Sequence, residues 1–186
     1  FTLREQGINA KVTSGNYDNI LQDSVERIEM SVVVVFWELS NLVDGFHYKA
    51  GLMDKELRGE LVEKTKKGIS VVLKNLVEVQ QVFFNSFSSL VFDCHRLDKS
   101  PLTEIAVELN KHLNECASSN TVIVDINKLF AMVSISKSVD FRYYNLSKSL
   151  YKLEYYREYA KFIAPRILSV WGLTKKVLIF DCDNTL

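Results

Sequence analysis

Short apolar runs alternate along this chain with segments that repeat apolar residues at helical spacing. The most restrictive run is 31–37, where four consecutive valines lead into Phe36 and Trp37. A run that is apolar on both faces is typical of a parallel strand covered on both sides. Parallel neighbours need long crossover connections, which the helical segments supply. We therefore predict an α/β fold, a three-layer α/β/α sandwich with a mostly parallel sheet.

The same patterns predict the other elements. Further strands are predicted at 8–12, 79–84 and 121–126. Helices are predicted at 54–68, with Gly68 as a C-cap, at 69–76, at 101–117 behind Ser100 and Pro101, at 127–133 and at 149–168. Only seven residues precede the strand at 8–12. A doubly wound sheet normally starts with a strand near its middle, so we expect a further strand ahead of Phe1.

Charge and composition exclude several classes of protein. Lys plus Arg and Asp plus Glu each number 23, so the chain lacks the positive field that nucleic acid or an anionic membrane requires. The apolar run at 32–37 is far shorter than the roughly 20 residues of a membrane helix, and no signal-like segment is evident. The 3 cysteines are widely spaced, which predicts reduced thiols. We expect a cytoplasmic protein whose partners include neither nucleic acid nor membrane.

The last ten residues carry the most specific motif. An apolar run at 177–180 leads directly into Asp181 and Asp183, which are followed by Thr185. The run predicts a buried parallel strand that presents both acids at its carboxyl end, where α/β folds build their sites. This pattern resembles the DxDxT strand end that opens haloacid-dehalogenase (HAD) phosphatase domains. The resemblance divides the chain into a domain at 1–172, and a linker and first strand of a HAD-like domain at 173–186.

A wider resemblance covers nearly the whole chain. It rests on the order and spacing of short segments: LREQGINA from residue 3, YDNILQDS from residue 17, FWEL from residue 36, FNSF from residue 84, VD from residue 124 and DFRYY from residue 140. In this order they are similar to the N-terminal region of FkbH-like proteins, with DCDNTL as the most specific part. The resemblance implies an SGNH-hydrolase-like, flavodoxin-like domain joined to a C-terminal HAD-like domain.

The same resemblance implies a chemistry and partners. FkbH-like proteins transfer a glyceryl unit from a phosphorylated three-carbon substrate to an acyl carrier protein and release phosphate. By position in the motif, Asp181 is implied as the nucleophile and Asp183 as the general acid/base, with Thr185 binding phosphate. Both aspartates are implied as ligands of Mg²⁺, the cofactor of the complete HAD domain. The parent protein would be a phosphatase or transferase, and these residues alone would be inactive.

Elementary chemistry supports the same roles for the two acids. A carboxylate attacks phosphorus only when its charge and that of the phosphate are offset, which Mg²⁺ achieves by bridging them. Acids two residues apart on an extended segment point to the same side, so one can attack while the other moves a proton. The alternative is a simple turn at Asp183 and Asn184 after a strand, because Asp and Asn favour turns.

The N-terminal domain raises a second hypothesis, an SGNH-type esterase or deacetylase. That superfamily places a nucleophilic Ser just after its first strand and an Asp-x-x-His near its last helix. No Ser stands at 1–2, and Tyr143 occupies the histidine position after Asp140. A phenol with a pKa near ~10 is a poor base at neutral pH, which disfavours a Ser-His-Asp hydrolase. A third hypothesis is an interaction domain without catalysis.

Loops that follow the predicted strands supply further candidates. Glu38 and Asn41 follow the Val-rich strand, and Asn85 follows the strand at 79–84. Because carboxyl ends of parallel strands share one edge of the sheet, we predict that these residues line a pocket for a carrier arm or polar substrate. Helix capping by Asn41 explains its position equally well.

The histidines, cysteines and tyrosines have simpler interpretations. His47, His95 and His112 show no metal-ligand spacing. Cys94 and His95 are not expected to form a nucleophile pair, because adjacent side chains usually point apart. The Tyr-rich segment at 143–159 suits a half-wet interface with a HAD domain or a carrier protein, although at least half of its tyrosines are expected at the domain rim.

Overall fold

The computed structural model describes residues 2–5, 7–16, 19–26, 29–98, 100–147 and 149–172. The strands are β1 (Val32–Val35), β2 (Gln81–Asn85) and β3 (Thr121–Val124). The helices are α1 (Thr2–Glu5), α2 (Ile20–Glu26), α3 (Phe46–Lys49), α4 (Lys55–Asn75), α5 (Leu90–Asp93), α6 (Pro101–Cys116), α7 (Ile126–Val133), α8 (Ile135–Ser138), α9 (Phe141–Ser147) and α10 (Leu153–Val170), and a 3-10 turn covers Leu39–Asn41.

The three strands form one parallel sheet in the order β1-β2-β3. Val33 lies opposite Val82, and Phe84 lies opposite Ile123. β2 is central and buried along its whole length, as expected for a strand with helices on both faces. The long helices α4 and α6 connect the neighbouring strands as crossovers. The prediction of an α/β fold with a parallel sheet is confirmed.

Alternating side chains of the sheet pack into two separate cores. Val82 and Phe84 join one core with Ile69 of α4 and Leu109 of α6. Phe83, which lies between them in β2, joins the other core with residues of α7 and α10. Successive residues of a strand point to opposite faces, so helices cover both faces of this sheet. The arrangement is compatible with the predicted three layers.

The two long crossover helices begin where the sequence predicts. The side chains of Asp54 and Ser100 each accept a backbone N–H in the first turn of α4 and α6, and Pro101 is the first residue of α6. The predicted C-cap at Gly68 is wrong, because α4 continues past it. A Cβ at Gly68 would lie 2.9 Å from Cη2 of Trp37, so glycine is needed there for close packing.

The predicted strand at 8–12 joins no ladder, so that prediction is wrong for the described structure. The segment is not helical, and Val12 is 83% exposed. A cavity of about 730 Å³ is lined by Ile8 and Ala10 on one side, and by Val32 and Val34 of β1 on the other. We call this cavity the edge groove. A strand needs a backbone partner about 4.8 Å away, and the groove keeps β1 from being that partner.

The last helix starts later than predicted because the preceding residues form an antiparallel bridge. Asp140 donates its backbone N–H to the carbonyl of Leu150 at 2.9 Å, and Lys152 donates to Ser138 at 2.8 Å. α10 therefore begins only at the residue after Lys152. The bridge places Tyr151 between the two hydrogen bonds, opposite Val139.

No helix among the described residues is long and apolar enough to cross a membrane. The strand predicted at 177–180 and the linker before it fall outside the described residues.

Candidate functional site

Glu38 lies in the interior just beyond the carboxyl end of β1. Its side chain belongs to a residue that is only 8% exposed. The hydroxyl of Tyr151 donates a hydrogen bond to Oε2 at 2.9 Å. The other oxygen, Oε1, has no hydrogen-bond partner among the described residues. One carboxyl group is thus held in an apolar environment by a single neutral donor.

Burial raises the pKa of Glu38 from its ordinary value of 4.5 to about 7, although the hydrogen bond from Tyr151 works in the opposite direction. An ionised carboxylate loses the solvation of water in the interior, and one phenol does not replace it. The carboxyl group therefore stays protonated below neutral pH. A group that titrates near pH 7 can give or take a proton under physiological conditions.

Aromatic rings surround Phe36, the residue that directly follows β1. Tyr151, Tyr155, Tyr156 and Tyr159 all have ring centroids within 6.4 Å of that of Phe36. We call Phe36 and these four tyrosines the tyrosine cluster. Burial raises the pKa of Tyr155 and of Tyr159, so both are neutral at any ordinary pH. Their hydroxyl groups have no hydrogen-bond partner among the described residues.

Most tyrosines of the 143–159 segment belong to the core. Two are exposed, namely Tyr143 (61%) and Tyr156 (43%). Four are buried, namely Tyr144, Tyr151, Tyr155 and Tyr159. The expectation that at least half would lie at the rim is therefore wrong, since packing against the second face of the sheet uses most of them.

Asn85 ends β2 and is fully buried. Its Oδ1 accepts the backbone N–H of Trp37 at 2.6 Å, and its Nδ2 donates to the carbonyl of Trp37 at 2.8 Å. The backbone pairing of β1 with β2 ends at Val35 and Phe84, so the side-chain amide extends the connection beyond the strands. Asn85 thus links the segment after β1 to the end of β2 at the carboxyl edge of the sheet, and it does not face open space.

The three predicted pocket residues do not share an open pocket. Asn41 is exposed, and its Oδ1 accepts a hydrogen bond from the hydroxyl of Ser40 at 3.1 Å. Glu38 and Asn85, in contrast, are buried. The edge groove and a second cavity of about 310 Å³ between α4 and α6 are lined by none of the three. Strand order predicts that they lie at the same edge, but it does not predict that side chains close this edge.

Polar side chains also tie together the loops that follow β2 and β3. The hydroxyl of Ser88 donates to Oδ1 of Asn127 at 2.6 Å, and the hydroxyl of Ser86 accepts the backbone N–H of Ile126 at 3.2 Å. Asp125 caps α7 by accepting the N–H of Asn127. These groups are hydrogen-bonded to one another, so they have a structural role at the carboxyl edge of the sheet.

The esterase hypothesis finds no support at its expected position. Tyr143 is 61% exposed on α9. Asp140 pairs with Arg142, with Nη2 at 2.9 Å from Oδ2 and Nε at 3.2 Å from Oδ1. The hydrogen bond from Arg142 lowers the pKa of Asp140 to about 2. The acid that would orient a catalytic base in that superfamily is thus engaged by an arginine.

One serine, one histidine and one cysteine that the sequence did not predict as neighbours meet between α4 and α6. Nε2 of His112 lies 2.8 Å from Oγ of Ser70, 3.4 Å from Sγ of Cys116 and 3.1 Å from the carbonyl oxygen of Lys66. The hydroxyl of Ser70 donates to the same carbonyl of Lys66 at 3.1 Å, and the donor in the contact between Ser70 and His112 depends on the tautomer of the imidazole ring. The i,i+4 spacing of His112 and Cys116 predicts a shared helix face, but no sequence signal brings Ser70 to it.

The predicted magnesium ligands Asp181 and Asp183, and the predicted phosphate ligand Thr185, fall outside the described residues. Within the described residues, no group of three or more His, Cys, Asp or Glu could hold a metal ion. The hypothesis of a Mg²⁺ site therefore depends on the terminal motif alone.

Comparison of the chain with protein-family models, with curated proteins and with solved structures found no match. Evidence for a function consequently lies in the residues themselves. Those residues are the terminal acid pair in the sequence, the buried Glu38, and the side chains that close the carboxyl edge of the sheet.

Proposed function

We propose that this chain is the N-terminal part of an FkbH-like protein of the HAD superfamily, a phosphatase or glyceryl transferase. Residues 1–172 form an SGNH-hydrolase-like, flavodoxin-like domain that positions an acyl carrier protein and a phosphorylated three-carbon substrate. Residues 173–186 start the HAD-like module in which phosphoryl chemistry takes place. In this proposal the first domain binds the carrier protein and the substrate, and the HAD-like module carries out the phosphoryl chemistry.

The observation that carries this proposal is the sequence at 177–185, an apolar run followed by DxDxT. In the proposed reaction the carboxylate of Asp181 attacks phosphorus, the bond to the leaving oxygen breaks, and Asp183 gives that oxygen a proton. Water then cleaves the aspartyl-phosphate and releases phosphate. Oxygen ligands such as these two carboxylates suit Mg²⁺, which would offset the charge of the phosphate.

The contacts of the described residues support a binding role for the first domain. Asn85 is occupied with the backbone of Trp37, and Asp140 is occupied with Arg142. The hydroxyl of Ser70, which contacts His112 between α4 and α6, donates to the carbonyl of Lys66 in its own helix. Among the described residues, the carboxyl edge of the sheet therefore presents structural contacts and not a catalytic pair.

Exposed aromatic and apolar side chains provide a surface for a protein partner. Tyr48 of α3 is 56% exposed, and Phe141, Tyr143 and Leu146 of α9 are 46%, 61% and 85% exposed. His47 connects the two helices, because its ring lies 5.4 Å from that of Tyr144 in α9. Aromatic side chains are enriched in protein interfaces. We define this surface as the α3–α9 surface and place the carrier protein there.

Binding to a carrier protein tests the first domain. We expect the 186-residue chain to bind an acyl carrier protein bearing phosphopantetheine, measured by isothermal titration calorimetry. The double change F141A/Y143A should weaken this binding at least about tenfold, which corresponds to about 1.4 kcal/mol. Val107→Ser, at an exposed position of α6, is the matched control and should bind as the original chain does. Equal binding by both variants would remove the α3–α9 surface from the proposal.

Ester hydrolysis and phosphate release test the roles proposed for the two domains. The chain should not hydrolyse p-nitrophenyl acetate faster than its Ser70→Ala variant, and a serine-dependent rate would favour the esterase hypothesis instead. In the protein encoded by the complete reading frame, Asp181→Asn should abolish phosphate release while carrier binding persists. A stop codon directly after Leu186 would refute the phosphatase proposal.

A further inference from the structure

The polar contacts between α4 and α6 bring four metal-binding atom types into one place. Nε2 of His112 lies 3.4 Å from Sγ of Cys116 and 2.8 Å from Oγ of Ser70, and Oγ lies 3.5 Å from Sγ. The carbonyl oxygen of Lys66 lies 3.1 Å from Nε2 and 3.1 Å from Oγ. One imidazole nitrogen, one sulfur and two oxygens therefore meet at the interface of the two helices.

The spacing of these atoms suits donors around one tetrahedral metal ion. Zinc bonds of about 2.3 Å to sulfur, about 2.0 Å to nitrogen and about 2.1 Å to oxygen place sulfur about 3.5–3.6 Å from the other two donors, and nitrogen about 3.4 Å from oxygen. The observed distances from Sγ of Cys116 are 3.4 Å and 3.5 Å. The distance between Nε2 and Oγ is shorter, at 2.8 Å, because these two atoms share a hydrogen bond. A metal ion that replaces this hydrogen requires only that one contact to lengthen.

The surroundings of the cluster favour a cation. The three side chains are half-buried, so an ion can reach them from solvent and water can complete its coordination. α6 ends at Cys116 without a basic residue in its last turn, and the C-terminus of a helix favours positive charge. The ammonium group of Lys66 is bonded to Glu63 at 2.7 Å and to Glu108 at 2.6 Å, so these two acids compensate its charge.

We propose that His112, Cys116 and Ser70 form a Zn²⁺ site that joins α4 to α6. Nε2 of the neutral imidazole and the thiolate of Cys116 are the two strong ligands, and Oγ of Ser70 is the third. The carbonyl oxygen of Lys66 or a water molecule takes the fourth position. Binding displaces the proton of the thiol to solvent.

The chemistry of the donors selects the metal. Zn²⁺ accepts nitrogen and sulfur ligands in tetrahedral geometry, whereas Mg²⁺ binds oxygen in octahedral geometry. The site is therefore distinct from the one proposed at Asp181 and Asp183, and this inference does not rest on the proposed function. Because Zn²⁺ binds only the folded arrangement of α4 against α6, it should also stabilise the fold.

The sequence contains half of the site. Cys116 follows His112 by four residues, and side chains at this spacing share one face of a helix. The spacing of the histidines alone predicts no metal ligand, because the second ligand on α6 is a cysteine. Ser70 completes the set from α4, and its distance of 42 residues from His112 in the sequence hides it from any local pattern.

Cobalt substitution tests the site, because a thiolate bound to Co²⁺ gives an intense charge-transfer band in the near ultraviolet. We expect the 186-residue chain, in excess Mg²⁺, to develop this band up to one Co²⁺ per chain and to lose it when Zn²⁺ is added. Cys116→Ala should abolish the band, and His112→Ala should weaken Co²⁺ binding at least about tenfold. The matched control C94A/C182A keeps Cys116 as its single thiol and should bind as the original chain does.

Four results would overturn the inference, provided that circular dichroism shows each protein to be folded. The first is an original chain without the band. The second is a band that persists in C116A and disappears in C94A/C182A, which would place the metal on other thiols. The third is one metal ion per two chains, which would place the ion between copies. The fourth is unchanged binding by Ser70→Ala, because the ion would then not connect α4 to α6.

Alkylation of the original chain provides a test that needs no substitution. Zn²⁺ should slow the reaction of Cys116 with iodoacetamide at least about tenfold, as measured by mass spectrometry of peptides, because the metal occupies the lone pair that attacks the reagent. Cys94 is exposed and is the internal control, with a rate that should not depend on Zn²⁺. A rate at Cys116 that is equal with and without Zn²⁺ would contradict the site.

Discussion

Replacing Glu38 with glutamine should remove a large pH dependence of stability. The pKa of Glu38 is about 7 in the folded protein, against an ordinary value of 4.5. Each pKa unit corresponds to about 1.4 kcal/mol, so the proton on Glu38 is linked to about 3 kcal/mol of folding free energy. Between pH 4.5 and pH 7 the unfolded chain has lost this proton while the folded chain still holds it. The free energy of unfolding of the original protein should therefore fall by about 3 kcal/mol across this interval.

Glutamine has nearly the same shape as glutamate and does not ionise. Its Oε1 can still accept the hydrogen bond from Tyr151, but its NH₂ group would lie where Oε1 of Glu38 has no described partner. An unsatisfied buried donor costs about 1–3 kcal/mol at every pH. At pH 4 the protonated acid of the original protein carries one such donor and the amide of E38Q carries two, so E38Q should be the less stable protein at pH 4 and should equal or exceed the original at pH 8. Between pH 4 and pH 8 the difference in free energy of unfolding between the two proteins changes by about 3 kcal/mol, whatever the pH-independent cost of the substitution.

Urea denaturation followed by circular dichroism, at constant ionic strength from pH 4 to pH 8, measures this difference. Glu154→Gln removes the same charge from an exposed position of α10 and is the matched control, with a profile that should follow the original. Tyr151→Phe removes the one hydrogen bond that lowers the pKa of Glu38, so its profile should keep falling above pH 7. Parallel profiles for E38Q and the original protein would show that Glu38 is not buried as described, and would refute this argument.

Three more substitutions test the packing of the domain by the same denaturation assay. Asn85→Ala leaves two backbone groups of Trp37 without their side-chain partner and should cost about 2–4 kcal/mol; a loss below about 0.5 kcal/mol would contradict the role of Asn85. Gly59→Ala has open space in α4 and should stabilise by up to about 1 kcal/mol, whereas Gly68→Ala forces Trp37 to move and should be at least about 1 kcal/mol worse than Gly59→Ala. Ser100→Ala removes the N-cap of α6 and should cost about 1 kcal/mol.

Elements that depend on local sequence were predictable. β1 follows from its four valines, and α6 from Ser100 and Pro101 at its start. The end of α4 was not predictable in the same way. Gly68 has the conformational freedom of a helix terminus, but contact with Trp37, far away in sequence, keeps it inside the helix. The short helices α3, α5 and α9 were also missed, since helices of one or two turns have too few residues to show a period.

The candidate site was predictable in position but not in environment. The sequence places Glu38 and Asn85 after parallel strands, and the structure confirms that both lie at the carboxyl edge of the sheet. Their burial depends on partners distant in sequence: Tyr151 is 113 residues from Glu38, and Trp37 is 48 residues from Asn85. A sequence pattern of strand ends cannot contain that information. A polar residue at such a position is therefore a candidate ligand only until its own hydrogen-bond partners are known.

The edge groove explains why a sound sequence pattern at 8–12 produces no strand. Ile8, Ala10 and Val12 alternate with polar residues as a half-buried strand requires, yet a strand forms only when a backbone partner lies beside it. Among the described residues, the outward backbone groups of Val34 in β1 also have no strand beside them. Direct pairing of 8–12 with β1 would require closing the cavity between them. If 8–12 pairs directly with β1, its conversion into a strand should coincide with protection of the Val34 amide from hydrogen exchange, and protection of one without the other would show that the two segments do not pair.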